Sequence, residues 1–349
     1  MERVDLRNLT LSETEELVKS LGAPSYRASQ VFDWVYKGKT DFREMSNLPE
    51  VFRERLSEAA YIGTLRTLRA QESKTDGTRK FLFGLSDGNA IETVFMKYNF
   101  GNSVCVSSQA GCRMGCKFCA STKKGLERGL TAGEIVSEIL AAEAETGERI
   151  GHVVVMGTGE PFDNYDNVAK FIRIINEKKG LSIGMRNITV STCGIVPMID
   201  RFGDDFDQVN LAISLHAPED DMRSSMMPIN KRYPLGELIP ACRRYTEKTG
   251  RRITFEYTLV SGVNDSDACI SELAALLRGM LCHVNLIPLN AVKGTGMKTV
   301  PRKRAAEIAS FLEQKGIPAT VRRELGSDID AACGQLRLNT NYSLNENIR

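Results

Sequence analysis

The sequence predicts an α/β fold: a partial (β/α)6 barrel with a small helical N-terminal accessory domain and a β-hairpin extension. Three observations predict it. From about residue 103 onward, short apolar runs alternate with helix-length amphipathic stretches, the pattern that builds a parallel sheet covered by helices. The first ~65 residues carry only helix signals. Between these regions, segment 80–97 reads as two strands around Asp87-Gly88, a hairpin signal.

In chain order, Ser12-x-x-Glu15 forms a capping box that leads into ELVKSL, and Gly22 supplies a stop. Tyr26 to Tyr36 and Pro49 to Ala60 give two further helices, which sets the accessory domain at 1–65 and the hairpin extension at 66–98. The barrel strands are expected at SVCVSS (103–108), HVVVM (152–156), NITVS (187–191), VNLAIS (209–214), ITFEYTLV (253–260) and HVNLIP (283–288). Helices are expected at 131–146, 165–178, 235–249, 266–279 and 301–315, the first opened by the box Thr131-x-x-Glu134. PATVRR (318–323) adds a late strand. The barrel and its C-terminal loop thus occupy 99–340, and 341–349 is a tail.

The 349 residues are 42% hydrophobic and 26% charged, an ordinary globular composition. No run approaches ~18 apolar residues, so no membrane span is expected. The N-terminus lacks an apolar signal core, and the expected compartment is the cytoplasm. A net charge of +2 neither demands nor forbids nucleic acid. Local basic clusters occur at Lys123-Lys124 with Arg128, Arg243-Arg244, Arg251-Arg252 and Arg302-Lys303-Arg304. Each alone is more often a solvated face than a phosphate contact.

Nine cysteines in a reducing compartment argue against a static disulfide framework. Cys193, Cys242, Cys269 and Cys282 lie on apolar patterns and read as small core residues. Cys112, Cys116 and Cys119, inside CRMGCKFC, offer three thiolates from one short loop. A 4Fe-4S cluster takes four cysteines for full protein ligation, so three would leave one iron open. An open position separates a chemical site from a structural one. Zinc is the competing reading: Cys116-Lys-Phe-Cys119 could be one ligand pair, but no second pair exists, and His152, His216 and His283 stand singly. By spacing alone, Cys105 and Cys333 are two ordinary buried cysteines.

In a parallel barrel the site forms at the C-terminal ends of the strands. The cysteine loop follows SVCVSS, Gly157-Thr-Gly-Glu160 follows HVVVM, and Ser191 ends NITVS. Ser214-Leu215-His216 ends VNLAIS, and Asn290 follows HVNLIP. All five therefore converge on one rim.

CRMGCKFC resembles the signature of radical S-adenosylmethionine (SAM) enzymes. Cys105-Val-Ser-Ser-Gln, Met156-Gly-Thr-Gly-Glu160-Pro, Ser191-Thr-Cys-Gly, Ser214-Leu-His216-Ala-Pro and Asp328-Ile-Asp-Ala-Ala-Cys333-Gly-Gln335-Leu are similar to one branch. That branch is the RlmN/Cfr family of dual-specificity RNA adenine methyltransferases, and the likeness runs over roughly residues 5 to 340. The resemblance implies the radical-SAM barrel fold and one 4Fe-4S cluster on Cys112, Cys116 and Cys119. It also implies two SAM molecules per turnover. Gly159 and Glu160 would meet the amino end of SAM, with Ser191, Ser214, Leu215, His216 and Asn290 around its ribose and adenine. The family usually reads Met-Gly-Met-Gly-Glu-Pro; Thr158 replaces the second methionine here, which touches local packing and leaves the backbone role intact.

By the same resemblance, Cys333 is methylated and carries the methyl to adenine. Cys105 then resolves the RNA adduct through a transient disulfide, Glu92 matches the family's proton acceptor, and the C2 proton goes to one of these two residues. On its own Glu92 reads as a solvent-facing strand residue. The implied reaction is methylation of C2 of an adenine in 23S rRNA and of the adenine 3′ to the anticodon in tRNA. An electron donor of flavodoxin type, a monomer and no membrane partner are expected. A Cfr-type C8 methyltransferase and a non-catalytic metal-containing RNA-binding module are the alternatives. RNA recognition has no motif of its own; the helical N-terminal region and the basic loops are the candidates.

Overall fold

The computed structural model describes residues 3–290, 296–329 and 331. Helix α1 (Leu11–Ser20) opens at Thr10, not at Ser12. Thr10 Oγ1 accepts from the Glu13 N–H at 3.2 Å, and the Glu13 carboxylate accepts from the Thr10 N–H at 2.7 Å. The capping box thus lies two residues earlier than its sequence pattern suggested. A start at Ser12 would take Leu11 out of the first turn, where it packs against the core. Helices α2 (Tyr26–Tyr36) and α3 (Glu50–Ala59) follow as expected. Strand β1 (Val4–Asp5) pairs in parallel with β2 (Ala60–Tyr61), tying the two ends of this region together.

The hairpin around Asp87-Gly88 is present as β4 (Arg79–Gly84) and β5 (Ala90–Tyr98). A further strand, β3 (Arg66–Glu72), pairs antiparallel with β4. Its sequence, RTLRAQE, hides it: the strand is an edge, and its charged side chains serve there to discourage further pairing rather than to fill a core. Strand β5 also pairs antiparallel with β6 (Gly101–Val106). A short ribbon, β7 (Gln109–Gly111) with β8 (Leu126–Gly129), brackets the cysteine loop.

The parallel strands are β6, β9 (His152–Val155), β10 (Ile188–Thr192), β11 (Asn210–Ser214), β12 (Ile253–Leu259), β13 (Cys282–Pro288) and the short β14 (Ala319–Val321). Between them run α4 (Ala132–Thr146), α5 (Tyr165–Asn176), α6 (Val196–Asp205), α7 (Asp220–Met226), α8 (Leu235–Thr249), α9 (Asp267–Leu277) and α10 (Arg302–Gln314). Two of these were not legible. Pro197 and Gly203 disguise α6, and α7 is a seven-residue polar stretch, DDMRSSM. One sheet of ten strands results, in the order β14-β13-β12-β11-β10-β9-β6-β5-β4-β3. Its edges are β3 and β14, so the strand arc is open rather than sealed by hydrogen bonds.

The inner strand residues Val104, Val153, Val190, Leu211, Phe255 and Val284 are fully buried. Each such side chain contributes roughly 1.5–3 kcal/mol. The N-terminal helices join the same core through Leu6, Val18, Phe32 and Leu56. Close approach makes this possible: a Cβ at Gly133 on α4 would stand 2.8 Å from the Asn8 backbone nitrogen, and the Gly133 N–H donates to Asn8 Oδ1 at 3.0 Å. Among the described residues, no helix is long and apolar enough to cross a membrane.

Candidate active site

The chain leaves β6 at Val106, and two serines fix its next turn. The Ser107 N–H donates to both oxygens of Glu138 on α4, at 3.1 and 3.0 Å. Ser107 Oγ donates to the Glu92 carbonyl at 2.8 Å and accepts from the Thr158 N–H at 3.0 Å. The Ser108 and Gln109 N–H groups both donate to the Thr158 carbonyl. The segment leading into the cysteine loop is therefore stitched to the Gly157–Glu160 turn. That contact requires both glycines. A Cβ at Gly157 would meet Val106 O at 2.7 Å, and Gly159, at φ +115°, would meet Gln109 N at 2.8 Å.

Cys112, Cys116 and Cys119 line one wall of the cavity above these turns. Burial pushes the Cys112 thiol up to about 12, and the Cys116 thiol upward as well. Among the described residues no three His, Cys, Asp or Glu side chains are already drawn into a closed ligand shell. The triad shows itself as one loop on one wall. Gly159, Glu160, Ser191, Ser214, His216 and Asn290 line the same cavity. Leu215 does not; its side chain is fully buried in the core, and its N–H donates to the Glu256 carbonyl.

Glu160 is buried, and its carboxylate accepts from the Phe162 and Cys193 N–H groups at 3.0 and 2.8 Å. Burial raises its pKa, against hydrogen bonds from Thr192 and Cys193 that lower it. His216 adopts a left-handed backbone, φ +58°, uncommon for any residue but glycine. Asn264 holds it there, donating from Nδ2 to the His216 carbonyl at 2.7 Å. The imidazole Nδ1 accepts from the Thr258 N–H at 2.9 Å, and the ring meets Phe118 of the cysteine loop edge-on at 4.7 Å. Burial, assisted by the Arg223 charge, pushes its pKa down to about 3, so the ring is neutral.

A second cavity adjoins the first, and Ile287, Asn290 and Arg322 line both. Cys105 lies on it, packed with Val94, Met96 and Ala331. Cys333 falls outside the described residues. Glu92 is buried rather than solvent-facing, because its strand is covered on both faces; its carboxylate lies 3.6 Å from Lys80. It is on the same face of β5 as Val94 but lines neither cavity.

Sequence reasoning missed Glu138, Cys193, Arg223, Glu256 and Asn264. A signal existed for Glu256, a lone acid inside the apolar run ITFEYTLV; it lines the cavity and accepts from Asn285 Nδ2 at 2.8 Å. Cys193 lines the cavity as well as packing. Most basic clusters proved structural: Arg128 pairs with Asp87 and Glu134, Arg244 with Asp200, and Arg304 with Asp267. Lys123 and Lys124, on the cysteine loop, are exposed.

Comparison with known proteins gives these features a family. Residues 106–272 match the radical SAM superfamily, and residues 4–62 match the ribosomal RNA large subunit methyltransferase N-terminal domain. A probable dual-specificity RNA methyltransferase RlmN of Clostridium perfringens (strain SM101) is 54% identical over 334 residues, 95% of this chain and 96% of its own length. The protein of the same description from Geobacillus thermodenitrificans is also 54% identical, over 95% and 92% of the two chains. A crystal structure of a radical SAM methyltransferase from Sphaerobacter thermophilus superposes with a TM-score of 0.91 at 50% identity, covering 96% of this chain and 99% of that one. Radical SAM membership brings a 4Fe-4S cluster and SAM as cofactors. The site fits them: one loop brings three soft thiol donors to the wall of a cavity that Gly159, Glu160, Ser191, Ser214 and Asn290 also line, and the fourth thiol there, Cys193, comes from a different strand end. The chain belongs to the RlmN family of radical SAM, dual-specificity RNA methyltransferases.

Proposed function

We propose that this enzyme methylates C2 of an adenine in 23S rRNA near the peptidyl-transferase centre, and of the adenine 3′ to the anticodon in tRNA. The methyl travels on Cys333, and a transient Cys105–Cys333 disulfide releases the product. One observation carries the reading. Cys105 packs against Ala331, two residues ahead of Cys333, in a cavity that shares a wall with the cysteine-loop cavity.

Cys112, Cys116 and Cys119 would hold the cluster. Gly159, Glu160, Ser191, Ser214, His216 and Asn290, with the Leu215 backbone, would hold SAM. When bound, the two supply a one-electron route to a carbon radical, which C2 of adenine needs because that carbon is not nucleophilic. The protein's own part is to bind, orient and keep the pocket dry. The neutral His216 can offer hydrogen bonds without adding charge, since its Nδ1 is occupied as an acceptor and Nε2 carries the proton. The C2 proton goes to Cys105, which lines the second cavity, or to Glu92, which is buried beside Lys80 and would have to reach the base from outside both cavities. In the release step the Cys105 thiolate attacks the Cys333 sulfur, the bond from that sulfur to the transferred carbon breaks, and its electron pair stays on the adenine-bound carbon, which takes up a proton; an external thiol reductant then resets the disulfide. A flavodoxin-type donor supplies the cluster electron, and the enzyme acts as a monomer with residues 1–65 contacting RNA.

Anaerobic reconstitution with iron and sulfide, followed by nucleoside mass spectrometry of treated 23S rRNA and tRNA, tests the reading. The expected product is 2-methyladenosine in both RNAs. Recovery of 8-methyladenosine alone would transfer the enzyme to the C8 branch.

A further inference from the structure

Arg223 has no place in the chemistry described so far, yet its burial is complete. Its side chain is 0% exposed, and it is among the largest fully buried groups in the molecule. Every hydrogen bond it makes goes to a neutral oxygen. Nε donates to the Leu215 carbonyl at 3.1 Å, and Nη1 to Asn230 Oδ1 at 2.8 Å. Nη2 donates to the carbonyls of Cys193 and Ser214, at 2.7 and 3.1 Å. Among the described residues no carboxylate shares a hydrogen bond or ion pair with it. Glu160 stands beyond Cys193, whose N–H it accepts, and Asp220 stands beyond Asn230, whose Nδ2 donates to it. A buried cation without an anionic partner costs several kcal/mol. Folds keep such groups when something completes them.

Its position ties it to the cysteine loop. Arg223 is on α7, and α7 is the platform for the cysteine loop. The Met226 carbonyl accepts from the Lys117 N–H at 3.0 Å, inside CRMGCKFC. The Pro228 ring lies against Gly115, and Met226 and Met227 pack with Met114, Cys116 and Phe118. The same side chain holds the carbonyls of Ser214 and Leu215, at the end of β11 on the opposite wall.

We propose that Arg223 is a positioning residue with an electrostatic role, setting a fixed positive charge behind the thiolate loop and so favouring the site's gain of one electron. Three thiolates and the iron-sulfur core they hold carry net negative charge, and reduction adds more. A fixed cation in a low-dielectric wall therefore makes the reduced state easier to reach. This rests on the assignment of Cys112, Cys116 and Cys119 as cluster ligands. It goes beyond that assignment by naming the charge that compensates them.

The test is a redox titration of anaerobically reconstituted enzyme, followed by electron paramagnetic resonance, on wild type and variants. Cluster loss in Cys116→Ala alone checks the ligand assignment independently. Arg223→Lys keeps the charge and loses the planar fork, and its midpoint potential should stay near wild type. Arg223→Gln removes the charge, and its midpoint should move to more negative values at unchanged iron content. Arg223→Met removes the charge with an apolar chain of similar length, and should move the midpoint the same way, which covers the case in which Arg223→Gln fails to fold. Wild-type midpoints in whichever charge-altering variants fold and hold the cluster would overturn the proposal. So would equal shifts in Arg223→Lys and Arg223→Gln, because they would make the role one of hydrogen bonding alone.

Discussion

Cys105 and His216 show how differently two site residues can be read from sequence. Cys105 gains meaning only from the chain at Ala331 packed against it. Cys333→Ala should abolish methyl delivery while iron content stays at the wild-type level. Cys105→Ala should instead accumulate protein covalently bound to RNA, visible as a slow band on a denaturing gel. Free turnover by either variant would remove that cysteine from its assigned role. His216 was legible as a rim residue but its conformation was not, because a lone histidine gives no sign of a left-handed backbone or of Asn264 pinning it. Its folded pKa lies below the unfolded value of ~6.5. As pH falls below that value the unfolded chain binds a proton the folded chain refuses, so stability is lost down to about 3. Buried Glu138, Glu160 and Glu256 are shifted upward by desolvation and act with the opposite sign. Comparison with His216→Asn, which tolerates the backbone and keeps an acceptor for Thr258, isolates the histidine. Apo wild type should lose roughly 2 kcal/mol more than this variant between about pH 6.5 and 4.5 in urea unfolding. Parallel curves would mean that the ring is not held neutral.

At the scale of elements, α4 does more than cover the sheet. It opens with the capping box Thr131/Glu134, legible in the sequence and present as read. One turn later it carries Glu138, whose carboxylate receives the Ser107 N–H and the Thr93 hydroxyl. Glu138→Leu would leave both donors buried and unsatisfied, at about 1–3 kcal/mol each. The variant should show a depressed melting temperature and weaker binding of SAM, because the Ser107–Thr158 stitch relaxes with it. Glu138→Gln, still an acceptor, should lose much less. A Leu variant as stable as wild type would show that the helix does not anchor the turn. The strands and long helices were legible because their apolar spacing is strong; β3 and α7 were not, because one is a charged edge and the other a short polar turn. Glu138 escaped for a related reason: a glutamate in a helix reads as solvent-facing unless the partner strand is known.

Taken whole, the molecule has an N-terminal region with its own boundaries in sequence but no core of its own. Leu6, Val18, Phe32 and Leu56 belong to the cluster that fills the barrel wall. Helix signals set the expected boundary near residue 65; the shared core was not legible, since it depends on Gly133 and Gly180 letting the two regions approach. Scanning calorimetry of the apo chain should therefore give one cooperative transition. Two resolved transitions would show that the regions are thermodynamically separate. The rim convergence was legible because parallel strands all end on the same side, whereas the antiparallel arm that carries Glu92 followed no such rule. That arm has a consequence of its own. Strand β6 is the seam of the sheet, with parallel neighbours on one side and β5, β4 and β3 running antiparallel on the other. The groups assigned to SAM lie mainly on the parallel side, while Glu92 sits in the reversed portion and Cys105 on the seam itself. Damage confined to the reversed portion should therefore yield a spendthrift catalyst rather than a dead one, still splitting SAM into 5′-deoxyadenosine while leaving its RNA unmarked.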